Sequence, residues 1–244
     1  MGLFHKEASL PITDLHCHIL PGIDDGAKDA EMSKRLLSEQ SQQGVTQIMF
    51  TPHFYPNRME LEDFIRRRSA SALQVIDLCN QFNLAGALGA EVHMAPQLAE
   101  MNLRKLALAD TSYILLEWPF VGFPLWGDSV IDAALHQGLT PIFAHIERYD
   151  YLFYDTELLN RYAEQGVLFQ MNADTILSGE DKKQSLHLIK NSYVHVLASD
   201  AHNMDARPPH LEAAFSVIEK KLNRKIANRL KENADAIFKG MGIE

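Results

Sequence analysis

The sequence predicts an α/β protein whose parallel strands form a distorted (β/α)7 barrel, similar to a TIM barrel. Short apolar, β-branched runs alternate seven times with longer segments whose apolar residues recur every three to four positions. Every one of the seven runs also ends in residue types that bind metals or phosphate. The strand ends of a barrel meet at one face, whereas an open doubly wound sheet, the alternative, binds ligands mainly at one switch point. The barrel is therefore favoured.

The strands and helices follow from these patterns in chain order. Strands are predicted near 12–18, 46–53, 85–92, 113–118, 140–146, 167–173 and 194–200. Their near-continuous apolar character is typical of parallel strands that are buried on both faces. Helices are predicted near 29–43, 60–82, 96–108, 127–137, 156–165, 181–191 and 209–239. Gly44, Gly138 and Gly166 each follow a helical pattern, at the position of a C-cap glycine.

The length and composition limit the organisation of the chain. Its 244 residues contain no Gly/Ser-rich linker, no low-complexity segment and no repeat. Because an α/β barrel of this length commonly forms one domain, we predict an N-terminal extension over 1–11 and a single domain over 12–244.

Charge and composition exclude several classes of function. With 23 basic against 32 acidic residues, the net charge of −9 gives no basic footprint for nucleic acid. No apolar run is long enough to span a bilayer, and the segment before residue 12 lacks a signal-peptide core, so no membrane insertion is expected. Two cysteines exclude a disulfide scaffold. These features predict a cytoplasmic protein.

Histidines and acids at the strand ends predict a metal site. His16 and His18 lie on one face of the first strand, so both imidazoles can approach one ion. As unliganded core residues they would lose hydration without gaining a partner, and ligation is the favoured interpretation. Glu91 and Glu117 end apolar strands, where a carboxylate is costly unless it is paired.

The remaining candidates are weaker when each is taken alone. Asp25 lies in an Asp-Asp-Gly segment that could be an ordinary turn. His53 and His145 could each be a ligand or a hydrogen-bonded loop histidine. Asp200 and His202 end the last strand in an Asp-x-His triplet that is unremarkable by itself. Their joint placement at strand ends makes them candidates for one metal centre.

Taken together, these segments resemble the bacterial PHP-type tyrosine-protein phosphatases, the CpsB/CapC family of capsule and exopolysaccharide systems. The resemblance runs from about residue 12 to the C-terminus. The segments that carry it are HCHILPGIDDG at 16–26, TPH at 51–53, GAE at 89–91, AHIER at 144–148 and SDAHN at 199–203. It implies a distorted PHP barrel that holds three divalent metal ions.

The resemblance also implies a ligand set for each ion. The three sets are His16, His18, Glu91 and Asp200; Glu91, Glu117 and His145, with Glu91 bridging; and Asp25, His53 and His202. Carboxylates at Asp25 and Glu117, where other PHP enzymes carry histidine, indicate the phosphatase branch. The segment from Glu31 to Arg35 approximates an oligomerisation motif of this family, which leaves a homo-oligomer open.

The chemistry of the candidate residues agrees with phosphate ester hydrolysis. Imidazole and carboxylate ligands without thiolates suit Mn²⁺, our first expectation, and also Fe²⁺ or Zn²⁺. A hydroxide bridging two ions about 3.5–4 Å apart would attack phosphorus in line. Arg148 and Arg207 are expected to act in catalysis by binding phosphate oxygens, with a surface salt bridge as the alternative for each.

A thiolate route to dephosphorylation has no support in the sequence. It would need an arginine six residues after the nucleophile, but Ile23 follows Cys17 at that spacing and Ala85 follows Cys79. We therefore predict a metal-dependent protein-tyrosine phosphatase. The expected protein substrate is the C-terminal tail of a bacterial tyrosine autokinase that controls capsule or exopolysaccharide synthesis. The alternatives are a small-molecule phosphatase of the PHP superfamily, for example on histidinol phosphate, and a metal-bearing regulatory protein without turnover.

Overall fold

A computed structural model describes residues 10–120, 122, 124–177 and 179–243. Most of the extension predicted at 1–11 therefore lies outside the described residues. All of the strand pairings in the described part of the chain are parallel. The strands are β1 (Ile12–Cys17), β2 (Val45–Phe50), β3 (His53–Phe54), β4 (Ala85–Leu88), β5 (Glu91–His93), β6 (Tyr113–Glu117), β7 (Thr140–Phe143), β8 (Leu168–Asn172) and β9 (Val196–Ala198).

These nine strands occupy seven positions around the barrel. One sheet runs β1-β2-β4 and the other runs β3-β5-β6-β7-β8-β9. Only short gaps separate β2 from β3 and β4 from β5, so each pair forms one interrupted strand. Across the gaps, Gly89 N–H donates to the Phe50 carbonyl at 2.8 Å and Glu91 N–H donates to the Pro52 carbonyl at 3.2 Å. The seven predicted strands are confirmed, with two of them interrupted.

Backbone hydrogen bonds connect the last strand to the first. The N–H of Asp200, just after β9, donates to the His16 carbonyl at 2.8 Å. The His18 N–H donates to the Ala201 carbonyl, also at 2.8 Å. Because these bonds join β9 to β1, the sheet curls into the predicted distorted barrel, and the carboxyl ends of its strands share one face.

Helices surround the strands and agree only partly with the expected boundaries. They are α1 (Ala30–Gln42), α2 (Leu61–Ala72), α3 (Ile76–Gln81), α4 (Gly127–His136), α5 (Asp150–Phe153), α6 (Thr156–Glu164), α7 (Asp174–Leu177), α8 (Lys182–Lys190), α9 (Leu211–Lys221) and α10 (Arg224–Phe238). None of the helices in the described part of the chain combines the length and apolar character needed to cross a bilayer.

Three segments were wrongly predicted to form single α-helices. The 60–82 helix divides at 73–75, where Val75 turns inward and is buried. The 209–239 helix divides before Asn223, whose side chain accepts from the Ile226 N–H and so starts α10 as an N-cap. The 96–108 segment forms two short 3₁₀ helices, Pro96–Glu100 and Leu103–Leu106.

A second apolar cluster joins residues of several strands to the C-terminal helix. It includes Leu15, Met49 and Tyr113, the last of which begins β6. Helix α10 contributes Ala234 and Ile237 to the same cluster and packs against β1, β2 and β9. This packing attaches α10 to the strands of the barrel.

Candidate metal centre

The structure gathers all nine predicted metal ligands at the carboxyl ends of the strands. Seven of them are buried: His16, His18, Glu91, Glu117, His145, Asp200 and His202. The His53 side chain is 11% exposed and the Asp25 side chain is 66% exposed. Metal ligation by these residues stays a prediction, but their side chains do converge.

Glu91, the first residue of β5, lies at the centre of the group. Its Oε2 atom is 3.3 Å from His16 Nε2, 3.1 Å from His18 Nε2 and 2.9 Å from His53 Nδ1. Its Oε1 atom is 2.7 Å from His145 Nε2. One carboxylate therefore contacts imidazoles from β1, β3 and the end of β7, which is the geometry expected of a bridging ligand.

Candidate ligand atoms fall into overlapping groups whose members lie within 4.8 Å of one another. These groups are His16, His18 and Asp200; His16, Glu91 and His145; His53, Glu91 and Glu117; and His18, Asp25, His53 and His202. The first group holds three members of the first implied set, and the last group holds the whole third set together with His18. The implied second set is divided, because Glu91 groups with His145 and His16 in one case and with Glu117 and His53 in another.

Several ligand atoms that face this centre make no hydrogen bond of good geometry, although each lies within 3.5 Å of another candidate ligand. They are Glu91 Oε2, Asp200 Oδ1, His53 Nδ1 and His202 Nε2. Leaving a buried polar atom without a partner costs about 1–3 kcal/mol. Protein ligands bind divalent ions such as Zn²⁺ at about 2.0–2.2 Å, so atoms around one ion stand a little over 3 Å apart. The separations observed here match that spacing, and the residues fit a divalent cation centre.

The charge state of the carboxylates also suits cation binding. Burial acts to raise the pKa of Glu91, but the neighbouring His16 and His53 hold it well below its usual range. The pKa of Asp200 is likewise held well below its usual range, because His16, His18 and Arg148 outweigh burial. Both side chains are therefore ionised near neutral pH, as metal ligands must be.

A second layer of contacts orients the histidines by their Nδ1 atoms. His16 Nδ1 lies 3.0 Å from Gln170 Oε1, and His18 Nδ1 lies 2.7 Å from Asp24 Oδ2. His145 Nδ1 lies 3.2 Å from the hydroxyl of Tyr149. The Gln170 and Asp24 oxygens accept from Nδ1, so they select the tautomer of His16 and His18 that leaves Nε2 for a metal.

Sequence reasoning missed these orienting residues. Gln170 carried a usable signal, because it is a polar residue inside an otherwise apolar strand. Asp24 was noticed only as part of a turn, and Tyr149 was not considered although it lies four residues after His145. His93 was left open, and its Nδ1 lies 2.8 Å from Glu117 Oε2.

Two of the candidate ligands have a left-handed backbone. The φ angle is 32° at His145 and 52° at Asp200. For residues other than glycine this conformation costs about 1–3 kcal/mol, and it clusters at functional sites. The surrounding fold must supply this energy, and each residue lies two positions after the end of a strand, β7 or β9.

Both predicted catalytic arginines reach the centre and share one partner. Arg148 Nη2 lies 2.5 Å from Asp200 Oδ2, and Arg207 Nη2 lies 2.6 Å from the same oxygen. Asn172 Nδ2 donates to that oxygen at 2.8 Å. Each arginine side chain is 32% exposed, so the pair lies at the rim with part of each guanidinium open to solvent.

Comparison with known proteins places this arrangement in a family. The family model described as "Capsular polysaccharide synthesis, CpsB/CapC" matches residues 12–239. The tyrosine-protein phosphatase YwqE of Bacillus subtilis is 31% identical over 236 residues, covering 94% of this chain and 92% of that protein. The tyrosine-protein phosphatase CpsB of Streptococcus pneumoniae is 32% identical over 229 residues, covering 89% of this chain and 93% of that protein.

Solved structures agree with the sequence comparison. A structure from a study of YwqE and S. pneumoniae CpsB, described there as unique metal-dependent tyrosine phosphatases, has a TM-score of 0.85. It is 28% identical and covers 96% of each chain. A phosphotriesterase homology protein from Escherichia coli, 12% identical with a TM-score of 0.59, covers 94% of this chain and 97% of that one and shares the fold alone. The chain described here belongs to the CpsB/CapC family.

Proposed function

We propose that this chain is a metal-dependent protein-tyrosine phosphatase that hydrolyses phosphotyrosine in protein substrates. The observation that carries the proposal is the convergence of buried imidazoles on the Glu91 carboxylate, with inward atoms that form no hydrogen bond of good geometry. The names of the relatives support the same reaction, since they are tyrosine-protein phosphatases of similar length.

Three divalent ions, with Mn²⁺ as the first candidate, would be held by the nine converging residues. The sets are His16, His18, Glu91 and Asp200; Glu91, Glu117 and His145; and Asp25, His53 and His202. Divalent ions at such a centre supply a nucleophile at neutral pH and neutralise charge on the phosphoryl oxygens. The chain's own part is to fix the ligand geometry. Gln170 and Asp24 do this by contacting the Nδ1 atoms of His16 and His18.

Arg148 and Arg207 contribute positive charge beside Asp200. Their shared contact with Asp200 Oδ2 fixes both guanidinium groups at the rim of the centre. Since each side chain also remains partly exposed, its other N–H groups are available to the oxygens of a bound phosphate. A permanent charge held next to the reacting group stabilises the transition state without reorganisation at the moment of reaction.

The substrate is proposed to be the phosphorylated C-terminal tail of a bacterial tyrosine kinase in a capsule or exopolysaccharide system. The family description, capsular polysaccharide synthesis, supports this assignment. A flexible tail would reach this largely buried centre more easily than a tyrosine within a folded domain.

Substrate profiling with controlled metal content tests the proposal. The purified chain would be stripped with a chelator and reloaded with Mn²⁺, Fe²⁺ or Zn²⁺. It would then be assayed on a phosphotyrosine peptide, a phosphoserine peptide of the same sequence and histidinol phosphate. We expect hydrolysis of the phosphotyrosine peptide that depends on metal and is lost in Glu91→Gln. Preference for histidinol phosphate, or a fully loaded protein without turnover, would contradict the proposal.

A further inference from the structure

A cavity of about 390 Å³ opens directly beside the metal centre. Asp25 and His53, two of the candidate ligands, form part of its wall. Ile23, Tyr55, Arg58 and Met59 also line it, with the Tyr55 ring 5.2 Å from the His53 ring. The volume lies within the range of small-ligand pockets, about 300–1,000 Å³. A group attached to a phosphate at the centre could therefore enter this space.

The lining combines the groups that bind an aromatic ring. Tyr55 offers a phenol ring, Met59 a thioether and Ile23 an apolar side chain, and all three are partly buried. The Arg58 guanidinium lies 4.7 Å from the centroid of the Tyr55 ring. Among the described residues, Arg58 makes no ion pair, so its charge can act on a ring that enters the cavity.

The lining is held in place before any ligand binds. The N–H groups of Arg58 and Met59 both donate to the Tyr55 carbonyl, at 2.9 and 3.2 Å. The turn after β3 therefore carries three of the lining residues, Tyr55, Arg58 and Met59. Arg67 of α2 donates to the Ile23 carbonyl at 3.4 Å, which links Ile23, another lining residue, to the helix that follows this turn. A preformed site binds its ligand with a smaller entropic cost.

We propose that this cavity takes the aromatic ring of the substrate's phosphotyrosine and makes the enzyme select aryl over alkyl phosphate esters. The inference rests on the proposed phosphatase function and names the residues that recognise the substrate side chain. The cavity shares Asp25 and His53 with the centre, so a phosphate bound there directs its ester group towards Tyr55 and Met59.

Another aromatic residue near the centre, Phe120, could contact the substrate ring in place of the cavity residues. Phe120 is 56% exposed, and its ring stacks 6.1 Å from the His145 ring and 5.6 Å from the Tyr149 ring. It lies on the His145 side of the centre and does not line the cavity. A test of the proposal must therefore separate Phe120 from the cavity residues.

Binding of two phosphonates to the metal-loaded chain distinguishes the cavity residues from Phe120. Phenylphosphonate carries the ring, methylphosphonate does not, and neither is hydrolysed. By calorimetry we expect phenylphosphonate to bind the wild type at least about tenfold more tightly, since ring contacts of this kind are worth a factor of roughly ten. Met59→Ala and Arg58→Ala should each reduce that preference several-fold without changing metal content or methylphosphonate binding. With a phosphotyrosine peptide, the same variants should raise KM more than they lower kcat.

Arg66→Ala is the matched control for the loss of charge. Arg66 lies in α2, is 73% exposed and is paired with Asp63 at 2.9 Å. Its removal should therefore leave the preference for phenylphosphonate intact. Equal binding of the two phosphonates by the wild type would overturn the cavity assignment. So would a preference that survives in Met59→Ala and Arg58→Ala but disappears in Phe120→Ala.

The two levels of the proposal fail in different ways. A wild type that prefers phenylphosphonate but does not hydrolyse the phosphotyrosine peptide refutes the proposed function and supports the cavity. A wild type that hydrolyses the peptide but binds both phosphonates equally refutes the cavity and leaves the function in place.

Discussion

Replacing Asp14 with alanine should destabilise the closure of the barrel beneath the metal centre. Asp14 is fully buried in β1, and its Oδ2 atom accepts from Ser199 Oγ and Gln40 Nε2, each at 2.5 Å. Its Oδ1 atom accepts from the N–H groups of Ser199, at 3.0 Å, and His16, at 3.3 Å. One carboxylate therefore connects β1, α1 and the segment that follows β9.

The size of the effect follows from the donors left without this partner. Truncation removes the acceptor for buried groups of Ser199 and Gln40, and each unsatisfied group costs about 1–3 kcal/mol. We therefore expect a loss of roughly 2–5 kcal/mol in the free energy of unfolding. Asp14→Asn, which retains one oxygen acceptor, should lose less. Because Ser199 directly precedes Asp200, weaker metal binding is also expected.

Urea unfolding of the metal-free protein, together with metal titration, measures both effects. The midpoint should fall while the denaturant slope stays unchanged. Asp63→Ala is the matched control, since this half-exposed aspartate pairs with Arg66 and should change stability by under about 1 kcal/mol. A loss below about 1 kcal/mol for Asp14→Ala, with wild-type metal affinity, would refute the role assigned to this network.

Four further predictions address the chemistry and the pH response. Cys17→Ser should retain most activity while chelation abolishes it, because burial raises the pKa of this thiol well above its usual range; an inactive variant that is folded and metal-loaded would contradict the metal route. His53→Ala should lower metal content by about one ion per chain by mass spectrometry, and an unchanged content would refute its assignment to the third set. Arg148→Ala should lower kcat/KM by roughly 10²–10³, with Arg148→Lys intermediate, whereas near-wild-type rates would exclude phosphate binding. Burial, with a smaller effect of Arg229, lowers the pKa of His195 from 6.5 to about 4. Since the unfolded chain then binds a proton that the folded chain excludes, stability should fall between pH 6.5 and 4 by up to about 1.4 kcal/mol per pH unit, and His195→Asn should show a shallower decline in urea unfolding.

Local sequence patterns were sufficient for the positions of the strands but not for their continuity. The run at 46–53 was correctly predicted as one strand position, yet the structure interrupts it between Phe50 and His53. Pro52 lies in this gap and has no N–H to donate to a neighbouring strand. The division of the last helix at Asn223 also had a local signal, because asparagine is a strong N-cap residue.

The residue types of the site could be predicted, but the contacts between them could not. The sequence by itself determined which imidazoles and carboxylates stand at strand ends, because strand periodicity is a local property. Only the tertiary structure decided that Glu91 lies among four histidines, that Tyr149 contacts His145, and that Arg148 and Arg207 share the Asp200 carboxylate. The Glu91 contacts and the Arg148–Asp200 contact join residues far apart in the chain, whereas Tyr149 and Arg207 lie four and seven residues from their partners. They depend on how the strands are staggered around the barrel and on the closure of β9 against β1, which no local pattern encodes.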